Sequence, residues 1–198
     1  NWKMTGLLSV NNMTEFVSLV RQIIRASQSK PLHIEIPCVL ALVGPSGAGK
    51  SEIAKQLCED RRFTSPMTYC TKKSSKHIYL TEEEFAKENF FEKTQYAGVK
   101  YGNKKEEIQA VLDAGRCAVM ALDMCGAVAM KRHFPTAIIF VDRDKEELIR
   151  NVVEDDFPAE EKTLRILSID AEKRNRPICD HVIDNRTGGG AGKILSLI

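Results

Sequence analysis

The chain has 198 residues, with 29 basic and 27 acidic side chains and a formal net charge of +2. That length suits one α/β domain with a modest extra piece, and the charge balance leaves no basic field of the kind that binds nucleic acid. No apolar run approaches the ~20 residues of a membrane-spanning helix.

Cys38, Cys58, Cys70, Cys117, Cys125 and Cys179 form no C-x-x-C pair. Buried free thiols in a reducing, cytoplasmic setting are the expectation, with a metal or disulfide role the alternative. The start Asn1-Trp2-Lys3-Met4 carries neither an initiator Met nor a signal-peptide pattern. A piece of a longer protein is therefore expected.

Residues 1–37 stand apart as an extension before a domain at 38–198. Asn12 is placed to cap a helix across 13–26, whose Phe16, Leu19, Val20, Ile23 and Ile24 make one apolar stripe. The stripe is expected to pack on the domain, with a partner-binding helix as the alternative. Pro31 and Pro37 close the segment.

The run Cys38–Val43 then reads as a buried strand, and Glu52–Cys58 as an amphipathic helix with Ile53, Ala54 and Leu57 on one face. Between them, Gly44-Pro45-Ser46-Gly47-Ala48-Gly49-Lys50-Ser51 fits G-x-x-x-x-G-K-[ST] at every fixed position. The small residues let successive backbone N–H groups turn inward around an anion, and the helix start near Gly49 adds unpaired N–H groups. Lys50 is expected to reach the β- and γ-phosphates of a nucleoside triphosphate, and the Ser51 hydroxyl to ligate Mg²⁺.

Further on, Met67–Thr71 reads as a short strand, Lys72–Lys76 as a polar turn and Thr81–Phe85 as a helix start. Lys105–Ala114 reads as a helix with Ile108, Val111 and Leu112 inward, stopped by Gly115. Cys117–Asp123 is an apolar run ending in an acid, which at a strand end beside a P-loop can hold Mg²⁺ directly or through water. Ala137–Val141 reads as another buried strand, 144–175 as helical and heavily charged, and His181–Asp184 as the last strand. Strands without alternation, spaced by helices, predict a parallel sheet covered on both faces. Gly188–Lys193 imitates a second phosphate loop but has Thr187 where Gly is needed and Ile after its lysine. A flexible turn before a short helix is expected there.

From the P-loop to Asn185 the chain resembles the guanylate kinase family and the guanylate-kinase-like domains of scaffold proteins. The resemblance is carried by the G-P-S-G-A-G-K-S loop and by Phe90-Phe91-Glu92 followed by Tyr101-Gly102. Leu122-Asp123-Met124-Cys125-Gly126-Ala127, Phe140 with Glu146-Glu147-Leu148, and Val182-Ile183-Asp184-Asn185 extend it. It implies a P-loop core, a monophosphate-binding subdomain over 66–104, a helical lid over 143–165, and the reaction ATP + GMP → ADP + GDP. Residue by residue, it implies that Thr68, Glu92 and Asp123 recognise guanine, with Asn103 in place of a small hydroxyl residue beside the base. Tyr101 falls on a phenol that binds the monophosphate, Arg165 on a lid arginine facing the transferring group, and Asn185 on a residue that touches the ATP adenine. A carboxylate suits guanine because it accepts from adjacent N1–H and N2–H₂ groups, a pair adenine does not offer.

The departures lie on the phosphate side. Lys72 stands where the family has an arginine, and a second arginine of that element has no counterpart. His77 replaces a phosphate-binding tyrosine, Ala121 the first acid of a D-x-D pair, and Asn151 a lid arginine, while Asp155 falls near another. Lysine gives up the bidentate fork of arginine on phosphate. Three functions follow: a guanylate-type kinase, a nucleotide-binding or phosphopeptide- and protein-interaction module, or a P-loop phosphotransferase with another acceptor.

Overall fold

The computed structural model describes residues 33–73, 77–96 and 98–198. The helix expected over 13–26 and the end of the polar turn lie outside them. β1 (Val39–Val43) is buried at every residue and occupies the middle of a five-stranded parallel sheet. Its neighbours are β7 (Cys117–Ala121) and β8 (Thr136–Asp142), with β2 (Phe63–Thr64) and β9 (His181–Asp184) at the edges. Leu40 lies opposite Val119 on one side and Ala137 on the other. An apolar run without alternation forms such a strand because helices cover both faces of the sheet.

One face packs Leu40, Leu42, Val119, Ile139 and Val141 against α1 (Lys50–Leu57), α5 (Lys145–Glu154), α6 (Ala159–Lys173) and α7 (Gly190–Leu195), which contribute Ile53, Leu57, Leu148, Ile169 and Ile194. The other packs Val39, Ala118 and Met120 against α3 (Lys105–Asp113) and α4 (Met124–His133), through Ile108, Val111, Leu112 and Met130. Gly115 ends α3 at φ +70°, as its position after the apolar stripe predicts. Cys38, Cys70, Cys117 and Cys179 are buried free thiols, whereas Cys58 and Cys125 are partly exposed. No helix among the described residues is long and apolar enough to cross a membrane.

A second sheet of four strands has the order β4-β3-β6-β5, comprising β3 (Thr68–Cys70), β4 (Ile78–Tyr79), β5 (Glu92–Tyr96) and β6 (Val99–Asn103). β3 runs parallel to β4, and both β3 and β5 run antiparallel to β6. α2 (Glu82–Lys87) is bound to it, opened by a capping box between Thr81 and Glu84.

Three boundaries differ from the sequence reading. The helical stretch over 144–175 is two helices, broken before Pro158, whose ring cannot extend a helix from its N-terminal side. The lid expected over 143–165 thus takes in α5 and the first half of α6. The glycine run is a packed helix entry rather than a flexible turn. Gly188 and Gly189 have φ +74° and +72°, but Gly190 begins α7, and a Cβ there would lie 2.5 Å from Ile53 Cδ1. Nor does the extension stand apart up to 37, since Ile34 is buried in the core and its N–H donates to Leu197 O at 2.6 Å.

Gly102 on β6 shows why the four-stranded sheet needs its glycine. A Cβ there would lie 2.6 Å from the Phe90 ring, which stacks with Phe85 at 4.6 Å and Tyr69 at 5.4 Å between centroids. Gly102→Ala is expected to destabilise the protein by ~1–3 kcal/mol through overpacking. A urea titration followed by tryptophan-independent circular dichroism measures this.

Candidate active site

The loop 44–49 joins β1 to α1 at the C-terminal edge of the parallel sheet, where open α/β folds place their ligands. Gly44, Gly47 and Gly49 have φ +134°, +82° and +92°, a region closed to most side chains. Space forbids a Cβ as well. One on Gly44 would lie 2.5 Å from Val141 O, on Gly47 2.9 Å from Leu148 O, and on Gly49 2.6 Å from Asn185 Nδ2.

The carbonyls of the loop are held by side chains. Lys50 Nζ donates to Gly44 O and to Pro45 O, the latter at 2.8 Å. Asn151 Nδ2 on α5 donates to Gly47 O at 2.9 Å, and Asn185 Nδ2 after β9 donates to Ala48 O at 2.9 Å. Burial lowers the Lys50 pKa to about 8, with Arg165 adding to the effect and Glu172 opposing it. A lysine folded onto carbonyls and short of anions is matched to a phosphate chain. Ser51 is exposed in the first turn of α1, open to a ligand.

Arg165, on α6, reaches the loop from above. Its Nη1 donates to Ser46 Oγ at 2.9 Å, while Nε and Nη2 donate to Glu161 Oε1 at 3.1 and 2.7 Å. The guanidinium lies over the Phe157 ring, 4.0 Å from its centroid, and also reaches the Tyr101 hydroxyl. Burial raises the pKa of that phenol, so it stays a protonated donor.

Two transverse rows of the four-stranded sheet supply the rest. In the first, Thr68, Asn103 and Glu92 lie opposite one another on β3, β6 and β5. The Thr68 hydroxyl donates to Asn103 Oδ1 at 2.9 Å, and Asn103 Nδ2 donates to Glu92 Oε2 at 2.9 Å. Glu92 is 2% exposed, and its Oε1 has no hydrogen-bond partner among the described residues. Burial pushes its pKa up to about 7; Asn103 opposes the shift and Asp123 adds to it. A buried acceptor left open in this way has the chemistry to accept N–H groups.

The second row, two residues along and therefore on the same face, contains Cys70, Tyr101 and Thr94. His77 stands edge-on to the Tyr101 ring, 5.6 Å between centroids. Lys72, just beyond β3, donates to Glu161 Oε2 at 2.7 Å and lies 5.6 Å from the Phe157 centroid. Lys72, His77, Tyr101 and Arg165 thus meet on one side of the cleft, and Thr68, Asn103 and Glu92 on the other.

Asp123 is anchored by the protein on both sides of its carboxylate. It is the N-cap of α4, accepting from Gly126 N–H at 2.7 Å through Oδ1, while Oδ2 accepts from the Thr94 hydroxyl. Each oxygen takes one protein donor and keeps a further lone pair. Among the described residues no three His, Cys, Asp or Glu side chains gather as a metal site. The Asn185 amide braces the loop, and its buried Oδ1 has no hydrogen-bond partner among the described residues.

A family model described as guanylate kinase matches residues 37–189. This chain belongs to the guanylate kinase family. Curated relatives carrying that name include proteins from Clostridium acetobutylicum, 27% identical over 58% of this chain and 61% of the relative, and Wolinella succinogenes, 29% identical over 79% and 80%. The chain spans about 61% of the length of the first of these. A crystal structure of guanylate kinase from Anaplasma phagocytophilum shares the fold, with a TM-score of 0.62 and 19% identity over 80% of this chain and 81% of that one.

Within this guanylate kinase fold, three residues at the cleft escape a reading by sequence. Glu161 sits in an acidic helix start that looks solvated, although it lies four residues before Arg165, a spacing that pairs charges on a helix. Phe157 and Thr94 gave no signal, because their partners come from distant segments.

The raised Glu92 pKa has a consequence for stability. The unfolded chain releases this proton near pH 4.5 and the folded protein near 7, so stability falls as pH rises between those values and the cost is fully present above 7. Glu92→Gln is expected to leave stability near pH 4 almost unchanged and to raise it at pH 8 by ~1–3 kcal/mol. Thermal melts at the two pH values check the sign.

Proposed function

We propose that this chain transfers the γ-phosphoryl group of ATP to a nucleoside monophosphate, GMP. The observation that carries this reading is Glu92, a buried carboxylate with one oxygen fixed by Asn103 and the other open. A guanine edge supplies the adjacent N1–H and N2–H₂ donors such an acceptor calls for. Thr68 and Asn103 hold the row that presents it, and Asp123 and Thr94 lock the strand that carries it to α4.

The acceptor phosphate is read as lying among Lys72, His77 and Tyr101, and the ATP phosphates within the loop Gly44, Ser46, Gly47, Ala48, Gly49, Lys50 and Ser51. The glycine positions leave no room for side chains where amide groups converge, so the loop suits ATP. The Ser51 hydroxyl would hold Mg²⁺, which would supply charge neutralisation to the transferring phosphoryl group. Lys50 leaves its carbonyl partners for the phosphates, and Arg165 spans Ser46 and Tyr101, the position from which a guanidinium serves both nucleotides. Positioning and charge are most of what phosphoryl transfer asks of a protein. The subdomain over 66–104 and the lid over 143–165 are the parts read as closing on substrate.

A second reading, a nucleotide-binding module that takes a phosphopeptide or protein partner in the same cleft without useful turnover, is favoured by Asn151. In place of a lid cation it offers an amide already bound to Gly47 O. A different monophosphate acceptor is the third reading, suited to Lys72 and His77.

Coupled ADP release with Mg·ATP and GMP decides among them. GMP-dependent release is expected, falling by about two to three decades in Lys50→Ala, the scale of one lost transition-state contact. ATP binding without release overturns the kinase reading in favour of the module, and release with another monophosphate alone reassigns the acceptor.

A further inference from the structure

The cations on the phosphate side of the cleft are already held by an anion of the protein. Glu161 Oε2 takes Lys72 Nζ at 2.7 Å, and Glu161 Oε1 takes Arg165 Nη2 at 2.7 Å and Nε at 3.1 Å. The residue is 9% exposed, and the Phe157 ring lies beneath both cations. Lys72 arrives from the end of β3 and Arg165 from α6, so one carboxylate ties the acceptor sheet to the lid. Arg165 at the same time touches Ser46 and Tyr101, which puts this carboxylate at the meeting point of loop, lid and acceptor sheet.

We propose that Glu161 is an internal counter-ion seated in the acceptor-phosphate site, and that a phosphomonoester binds by taking its place between Lys72 and Arg165. This rests on the acceptor reading given above. Two cations this close in a half-buried cleft repel one another and need a counter-charge, which the carboxylate provides. Its charge is −1, whereas a phosphomonoester carries about −1.5 to −2 at neutral pH and offers three acceptor oxygens. The phosphate therefore displaces Glu161, while a neutral ligand such as a nucleoside does not. The exchange makes the site discriminate by charge and lowers its affinity for the phosphate it accepts.

Isothermal titration of GMP and of guanosine into the wild-type chain, Glu161→Gln and Glu161→Ala tests this. Both variants are expected to bind GMP about tenfold tighter or more, roughly the worth of one charge-assisted hydrogen bond, with guanosine affinity unchanged. Equal or weaker GMP binding in both variants, with guanosine still bound, overturns the inference and leaves the acceptor reading standing. If neither GMP nor guanosine binds any of the proteins, the acceptor reading fails, and titration with inorganic phosphate decides instead. Tighter phosphate binding by Glu161→Gln that is lost in the double variant Glu161→Gln/Lys72→Met supports the counter-ion, and no tightening overturns it.

Discussion

In a phosphate loop the amide groups converge on one point, and the carbonyls of the same peptides are thrown outward, where each still needs a donor. Much of this domain is arranged around that demand. Lys50 closes on Gly44 O and Pro45 O, Asn151 comes from α5 to Gly47 O, and Asn185 comes from the end of β9 to Ala48 O. The braces need α5 and β9 close to the loop, which in turn needs Gly47 and Gly49 without side chains. The apolar face formed by Leu42, Val141, Leu148 and Ile183 sets that closeness. Packing of the core and orientation of the loop amides are one constraint seen from two sides.

The four-stranded sheet solves a different problem with alternation. Residues 101 and 103 on β6 face the cleft, and Gly102 between them faces away, giving Phe90 room to lie flat against the backbone. That single alternation sets the row of Tyr101 beside the row of Asn103. The hydroxyl, amide and carboxylate of Thr68, Asn103 and Glu92 then order one another across three strands, fixing which oxygen of Glu92 remains open.

The loop, its flanking strand and helix, and the buried parallel strands were legible in the sequence because their signals are local: a glycine pattern between an apolar run and an amphipathic stretch. The cleft was less legible. Thr68 and Asn103 are single polar residues in short strands whose pairing is non-local, and resemblance to a family pointed to them where periodicity did not. Asp123 showed itself as an acid at a strand end, but its bond to Thr94 depends on a strand 29 positions away in the chain. The glycine run at 188–192 looked free because Ile53, which closes over Gly190, belongs to a helix far back in the sequence. Glu161 was hidden by its composition, since an acid in the first turn of a helix ordinarily needs no further reason.

The Thr94–Asp123 hydrogen bond also bears on how the molecule comes apart. The four-stranded sheet has a small apolar core of its own around Phe85 and Phe90, whereas the parallel sheet is covered on both faces. Units of such unequal burial open separately, the smaller one at lower free energy. Asp123 caps a helix of the large unit while holding a strand of the small one, so the seam between the two runs through the Glu92 side of the cleft. A ligand seated at the open side of Glu92 would by the same connection protect the backbone amides of the sheet that carries it.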